Sequence, residues 1–284
     1  MSRNSVFIGW PNRAAGATLS SGSWTGLANL NNSNYWEVAR STNASPSNTV
    51  INIDIGSVKA LRAVALAAHN LSASASWRIK LGTTAGASDV YDSGNQAVWA
   101  MAFDTESYTW EDQFWWEGAT AGDDYQGSPH LACWPLPNWY SARYARIEIS
   151  DSSNPAGFVQ IGRLFIGGGF QPELGCGYGK LSERWIDNSE VVASAAGDEL
   201  FVQRRRLREA RFGLDHLTAG AEFQAVFEMQ RRQGISGEVL FLPEPASIAE
   251  CQRRGFIGRM TELSAIEYPY YRHRGAGFSI KETP

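Results

Sequence analysis

The chain has 284 residues, of which 43% are hydrophobic, and its formal net charge is −4. A chain of this length forms two domains or one large β domain, and it can bury a core without disulfides or metals. The composition is that of a globular protein, and the small negative charge gives no reason to expect a nucleic-acid-binding surface.

Residues 1–168 are predicted to form a β-sandwich. In TVINIDIG, SWRIKLG and RYARIEIS, apolar and polar residues alternate with a period of two, which is typical of strands with one buried face. The expected buried residues are Ile51, Ile53, Ile55, Trp77, Ile79, Leu81, Ala145, Ile147 and Ile149. The connections are rich in Ser, Asn and Gly, which favour turns, and no convincing amphipathic helix interrupts them. Many strands without crossover helices indicate a β-sandwich or jelly roll.

An aromatic segment, residues 99–118, lies between these strands. It reads WAMAFDTESYTWEDQFWWEG and contains seven aromatic residues. Three roles stay open for it: packing in or over the sandwich, a protein interface, and stacking against sugar rings. The candidate contacts to a glycan or a partner are Tyr108, Trp110, Trp115 and Trp116.

The composition changes near three consecutive glycines at 167–169. Ten of the eleven tryptophans lie in residues 1–170, whereas the shorter remainder carries 15 of the 25 Lys/Arg and 16 of the 29 Asp/Glu. Glycine clusters often mark flexible junctions between domains. We therefore expect two domains, residues 1–168 and residues 169–284.

Residues 169–284 are predicted to form an α+β body, a sheet or sandwich with one helix packed on it. The helix is expected over residues 218–233, with Thr218 as the N-cap and Gly234 at its end. Its apolar stripe is expected to carry Phe223, Val226 and Phe227. Strands are expected over residues 199–206, 210–217, 237–243 and 255–270.

Two parts of the chain resemble known families. The segments IDIGSVKALRAVALAAHNLSASASWRIKLGTT and YARIEISDSSNPAGFVQIGRLFIGG resemble discoidin or galactose-binding-like β-sandwiches, including versions in bacteriophage tail proteins. The segment QRRRLREARFGLDHLTAGAEFQAVFEMQRRQGISGEVLFLPEP resembles tail-tube-like and distal-tail ring proteins. The resemblance implies a mainly β chain, in which a galactose-binding-like jelly-roll sandwich precedes a tail-tube-like α+β sandwich with one helix.

The same resemblance implies a structural component of a phage tail tip or baseplate. The second domain would form a homo-oligomeric ring of six copies, and the first would decorate it or contact other tail and baseplate proteins. The protein would reside in the virion tail after assembly in the host cytoplasm, with DNA only as passing cargo. The alternative function is a carbohydrate-binding module for adsorption to host-surface glycans. A concave site with an exposed tryptophan and converging polar groups would favour that alternative.

No enzymatic activity, metal or cofactor is predicted. Glycoside hydrolysis needs two carboxylates on opposite sides of a sugar, and the adjacent pairs at 111–112 and 123–124 do not supply that arrangement by themselves. The four histidines lack metal-ligand spacing, and GCGYGK matches no phosphate-binding motif. His69 is expected to hydrogen-bond to neighbouring backbone.

The three cysteines, Cys133, Cys176 and Cys251, form no metal motif and are predicted to be reduced thiols that are buried or semi-exposed. The first 16 residues lack the apolar core of a secretion signal, and no apolar run approaches the roughly 20 residues that span a bilayer. We therefore expect a protein that is soluble when made and has no membrane partner.

The subunit contact is predicted on an arginine-rich strand and on the helix of the second domain. In a strand, Arg204, Arg206 and Arg208 would share one face. Their planar guanidinium groups would pair with Glu222 and Glu228 of a neighbouring copy. An ordinary solvated surface is the other interpretation.

Overall fold

The fold, seen in a computed structural model, is mainly β. The structure describes residues 6–100, 110, 130–177, 179–193, 198–268 and 273–283. Within these residues, eighteen strands form a nine-stranded sheet, a seven-stranded sheet and a separate two-stranded hairpin. The described part contains two α-helices, and none of its helices is long and apolar enough to cross a membrane.

The nine-stranded sheet buries one apolar core and corresponds to the predicted sandwich. Its strands are β2 (Thr18–Ser20), β3 (Trp24–Thr25), β4 (Ala39–Ser41), β5 (Ile51–His69), β6 (Ser76–Gly82), β7 (Tyr91–Asp92), β8 (Gln96–Ala97), β9 (Leu131–Ser150) and β10 (Gln160–Gly167). The strand order is β3-β4-β10-β5-β9-β6-β7, with β2 on β5 and β8 on β6. The long strands β5 and β9 pair with register shifts after Asp54 and Leu61. The predicted alternation is confirmed, because the nine expected apolar residues all lie in this core.

The seven-stranded sheet contains β1 (Val6–Gly9), β11 (Ser182–Ile186), β14 (Leu207–Thr218), β15 (Glu238–Pro243), β16 (Phe256–Met260), β17 (Ile266–Glu267) and β18 (His273–Glu282). Their order is β1-β15-β16-β18-β14-β11, and β17 pairs with β18. The hairpin joins β12 (Glu190–Ala193) to β13 (Glu199–Val202). The helices are α1 (Ala221–Gln233) and α2 (Ile248–Arg254).

The N-terminal strand β1 belongs to the seven-stranded sheet, although every other strand of that sheet lies beyond residue 180. It pairs antiparallel with β15, from Val6 opposite Pro243 to Gly9 opposite Leu240. Val6 and Ile8 enter the core of the seven-stranded sheet, and Phe7 faces the opposite way. The division into residues 1–168 and 169–284 stays a prediction, but the strand pairing joins β1 to the second body.

The three glycines at 167–169 pack tightly and do not form an open linker. Ile8 and Phe170 exchange backbone hydrogen bonds of 2.9 and 2.8 Å, so this segment runs beside β1. A Cβ atom on Gly167 would lie 2.3 Å from the carbonyl oxygen of Pro11, and one on Gly169 would lie 2.3 Å from the Phe7 ring. These positions require glycine because the backbone of the first body must closely approach the N-terminal segment.

The second body differs from its prediction at both helices. Helix α1 begins after Gly220, because Thr218 ends β14 and its N–H and hydroxyl donate hydrogen bonds to Glu222. The predicted C-terminal glycine, Gly234, is confirmed. The buried face of α1 carries Val226 and Met229. The alternation-based strand predictions overlooked the seven-residue helix α2, whose N-cap residue is Ser247.

A third apolar cluster joins the faces of the two large sheets. Its members are Phe7, Tyr35, Ala63, Ala65, Ala67, Leu131, Cys133, Phe165, Leu240, Leu242, Cys251 and Ile257. Beside it, Arg163 of β10 forms an ion pair of 2.5 Å with Glu238 of β15. All three cysteines are free and buried, as predicted. The two bodies therefore share a buried, partly charged contact.

Candidate functional site

A cleft of about 790 Å³ opens where the two bodies meet. One wall comes from β5 and β9, and the floor comes from the segment that follows β10. The opposite wall comes from the first turns of α1 and the loop between β15 and α2. This volume lies within the range of about 300–1,000 Å³ that is usual for small-molecule sites. A small ligand would contact both bodies at once.

Trp139 provides an aromatic surface in the cleft. It lies on β9 after Pro137 and Asn138, which also line the cleft, and it is 55% exposed. Its indole packs over Gly168, where an added Cβ atom would come within 3.1 Å of the ring. An aromatic ring held on one face by packing offers its other face for stacking against the apolar face of a sugar.

Arg62 of β5 is the cation of the cleft. Its Nη2 donates to the Gln171 side chain over 3.5 Å, at the limit of a hydrogen bond, and its buried Nη1 has no hydrogen-bond partner. Among the described residues, Arg62 forms no ion pair with a carboxylate. Burial lowers the pKa of its guanidinium group. A buried N–H without a partner is costly, so this arginine is available to an added acceptor.

Three carboxylates line the cleft: Glu173 on its floor, and Glu222 and Glu244 on the opposite wall, where both are held in place. Glu222 accepts hydrogen bonds from the backbone of Glu173 and Thr218 at 2.8 and 2.7 Å. Glu244 forms an ion pair of 3.2 Å with Arg254. Glu244 also has φ of +49°, a left-handed backbone conformation that is uncommon outside glycine and is frequent at functional sites. These carboxylates are acceptors for ligand hydroxyl groups.

The predicted aromatic contacts do not contribute to this cleft in the part of the chain that the structure describes. Tyr108, Trp115 and Trp116 lie outside the described residues, as do the carboxylate pairs at 111–112 and 123–124. Trp110 is described, is 66% exposed and does not line the cleft. Sequence reasoning missed Trp139 and Arg62. The only local signal was the run WPLPNWY, in which a tryptophan follows two prolines.

A cluster of imidazole and indole rings lies at the end of β5. His69 lies 5.2 Å from Trp99 and 5.8 Å from His130 between ring centroids. The N–H of Leu71 donates to Nδ1 of His69 over 3.3 Å, which confirms the predicted bond to neighbouring backbone. Burial lowers the pKa of His69 to about 3. The described residues contain no group of three or more acidic, histidine or cysteine side chains that could hold a metal ion.

The predicted interface residues have partners within their own chain. Arg204 pairs with Glu190 at 2.6 Å, and Arg206 pairs with Asp187 at 3.2 Å. Both arginines lie in an irregular segment between β13 and β14, so the prediction that they share a strand face is wrong. The third arginine of the predicted contact, Arg208, lies on β14, where its side chain is buried in a 2.8 Å ion pair with Glu282.

The two glutamates of the predicted contact lie on α1. Glu222 is engaged at the start of the helix, as described above. Glu228 accepts from Arg231 and Arg232 at 2.7 and 2.9 Å, and the hydrogen bond from Arg231 is the main reason that its pKa falls to about 2. The contact between copies through Arg204, Arg206, Glu222 and Glu228 stays a prediction.

The β12–β13 hairpin, here called the arm, exposes apolar residues on both faces. Val191 opposes Phe201 on one face, and Val192 opposes Leu200 on the other. These four side chains and Val202 are 50–62% exposed. The arm pairs with neither large sheet. A lone two-stranded hairpin is at best marginally stable in water, so burial of these apolar side chains against another surface would stabilise the arm.

The comparisons with known proteins give resemblance in part of the chain only. No protein-family model matches the chain, and no curated protein matches it. Among solved structures, a CBM32 module from a family 31 glycoside hydrolase of Clostridium perfringens aligns at 9% identity with a TM-score of 0.34. That alignment covers 53% of this chain and 93% of the module.

Two further solved structures are similar over the same share of the chain. A fucose-binding module of Streptococcus pneumoniae aligns at 11% identity and a TM-score of 0.33, covering 55% of this chain and 94% of the module. The CBM32 of AlyQ, in complex with 4,5-unsaturated mannuronic acid, aligns at 23% identity with a TM-score of 0.31. That alignment covers 53% of this chain and 92% of the CBM32 chain. At these scores the alignments define no binding residue in this chain.

Proposed function

We propose that this protein binds carbohydrate in the cleft between its two bodies. The observation that carries the proposal is the half-exposed indole of Trp139 at a concave site lined by a guanidinium group, amides and carboxylates. Sugar sites combine a flat aromatic surface with polar groups that bind ring hydroxyls, and this cleft has both. Adsorption to a host-surface glycan is the biological role that this binding would serve.

A glycan array with the whole chain and with Trp139→Ala tests this proposal. The wild-type chain should bind at least one class of oligosaccharide, and the variant should bind it about tenfold more weakly or worse, as is usual when a central aromatic contact is lost. Trp36→Ala is the matched control, because Trp36 is 80% exposed and does not line the cleft. Equal binding by both variants would place the sugar site elsewhere.

The second candidate function is a structural subunit of a phage tail tip or baseplate. The arm favours this function, because its five exposed apolar side chains form a surface typical of protein–protein contacts. A ring closes through repeated heterologous contacts of this kind, and the two functions are compatible in one protein. Six copies, tail partners and the virion location rest on the sequence resemblance.

Light scattering coupled to size-exclusion chromatography tests the second function. Phe201→Asp places a charge on one face of the arm, away from both large cores, so it should reduce self-association and leave the fold intact. Glu190→Ala removes a charge from the same arm and should preserve self-association. A wild-type chain that stays monomeric alone and with tail-tip proteins would argue against the structural role.

A further inference from the structure

Arg62 is the cation of the cleft, and its guanidinium group lacks a committed partner. Glu222 and Glu244 are fixed by hydrogen bonds or an ion pair with neighbouring groups. Arg62, by contrast, has one 3.5 Å contact to Gln171 and an Nη1 with no partner. A guanidinium group binds a carboxylate through two parallel hydrogen bonds, and a small rotation of the side chain would present that fork to the cleft.

The remaining polar groups of the cleft complement the rest of a sugar acid. The carboxylates of Glu222 and Glu244 accept hydrogen bonds and cannot donate them, so they suit ligand hydroxyl groups. Trp139 suits the apolar face of a pyranose ring. A hexuronic acid carries the three matching parts together: one carboxylate, several hydroxyls and a ring with an apolar face. A neutral hexose lacks the charged, two-oxygen acceptor that matches the guanidinium fork of Arg62.

We propose that the cleft selects oligosaccharides of hexuronic acids, and that Arg62 is the residue that distinguishes them from neutral sugars. This inference rests on the proposed carbohydrate-binding function. Two of the three carboxylates of the cleft are already engaged, because Glu244 pairs with Arg254 and Glu222 accepts backbone hydrogen bonds, whereas the described residues give the side chain of Glu173 no ion pair. Specificity of this kind arises because a buried polar group of the protein is left unsatisfied by the wrong ligand.

Isothermal titration with matched acidic and neutral probes tests the inference. The acidic probes are trigalacturonate and trimannuronate, and the neutral probes are their fully methyl-esterified forms, which keep the rings and remove the charge. The wild-type chain should bind one acidic probe about tenfold or more tightly than its ester, as a charge-assisted bidentate pair provides. Arg62→Gln should lose that preference while its binding of the ester stays within about twofold of the wild type.

Arg40→Gln is the control variant. Arg40 is exposed, lies 3.3 Å over the Phe158 ring and does not line the cleft, so its loss should leave the preference unchanged. Equal affinity of the wild-type chain for acid and ester would overturn the inference, and so would an equal loss of both in Arg62→Gln. Trp139-dependent binding of neutral sugars alone would overturn acid selection and leave carbohydrate binding standing. Absence of any Trp139-dependent binding would overturn both.

Discussion

Removal of the Glu238 carboxylate should strongly destabilise the contact between the two bodies. The guanidinium of Arg163 is 3% exposed and donates to both carboxylate oxygens of Glu238, at 2.9 Å from Nε and 2.5 Å from Nη2. Its Nη1 donates to the Leu30 carbonyl at 3.0 Å. Asn12 adds a further hydrogen bond of 2.8 Å to Glu238. The carboxylate thus neutralises a buried charge and orders the segment after β1.

Glu238→Ala leaves Arg163 buried with one backbone carbonyl as its partner. Breaking a buried pair by removing one side costs about 3–5 kcal/mol, because the remaining charge is uncompensated. For a chain of this size the melting temperature should fall by about 10 °C. Circular dichroism during thermal unfolding measures this fall. The double replacement Arg163→Met with Glu238→Leu should lose much less, because it removes both charges and keeps apolar volume.

Arg78→Ala is the matched control. Arg78 forms an ion pair of 2.5 Å with Asp92, but its side chain is 42% exposed, so its loss should leave the melting temperature close to that of the wild type. The reasoning is refuted if Glu238→Ala unfolds within about 1 kcal/mol of the wild type. It is also refuted if the double replacement is as unstable as Glu238→Ala, because the loss of stability would then not arise from the uncompensated charge of Arg163.

Three further changes test separate parts of the structure. Gly168→Ala should shift the Trp139 indole, since the new methyl group would lie 3.1 Å from the ring, and weaken carbohydrate binding in titrations; unchanged affinity would contradict this. Ile8→Asp should unfold the seven-stranded sheet, because it buries a charge, and amide hydrogen exchange in β15 should accelerate. Unchanged exchange in β15 would contradict the pairing of β1 with that sheet. The free energy of unfolding should fall as pH drops from about 6.5 towards 3, because His69 binds a proton in the unfolded chain but not in the folded one. Urea titrations of His69→Gln should show a weaker pH dependence in this range, and an unchanged slope would exclude His69 as the cause.

The strands of the first body could be predicted because each one encodes its own buried face. The alternation at Ile51, Ile53 and Ile55 is local, and it survives folding because the core selects every second residue. The helix end at Gly234 was predictable for the same reason, since a glycine that terminates a helix is a local signal.

The site could not be predicted because its parts come from distant segments. Arg62, Trp139, Glu222 and Glu244 lie on four different elements or loops, and only the contact between the bodies brings them together. The glycines at 167–169 have the composition of a linker, but Gly167 and Gly169 pack against residues 7–11 and Gly168 packs against Trp139. The local sequence around the glycines does not contain the residues that pack against them, so it cannot predict their close packing.

The most direct test of the central claim is the indole N–H signal of Trp139 in a two-dimensional ¹H–¹⁵N NMR spectrum. The signal is assigned by its absence in Trp139→Phe, and the chain is titrated with the oligosaccharide that binds best on the array. If the cleft is the sugar site, the Trp139 signal should shift in a saturable way, with the affinity measured by calorimetry, while the Trp36 signal stays in place. A saturable sugar titration that leaves the Trp139 signal unmoved would contradict the claim.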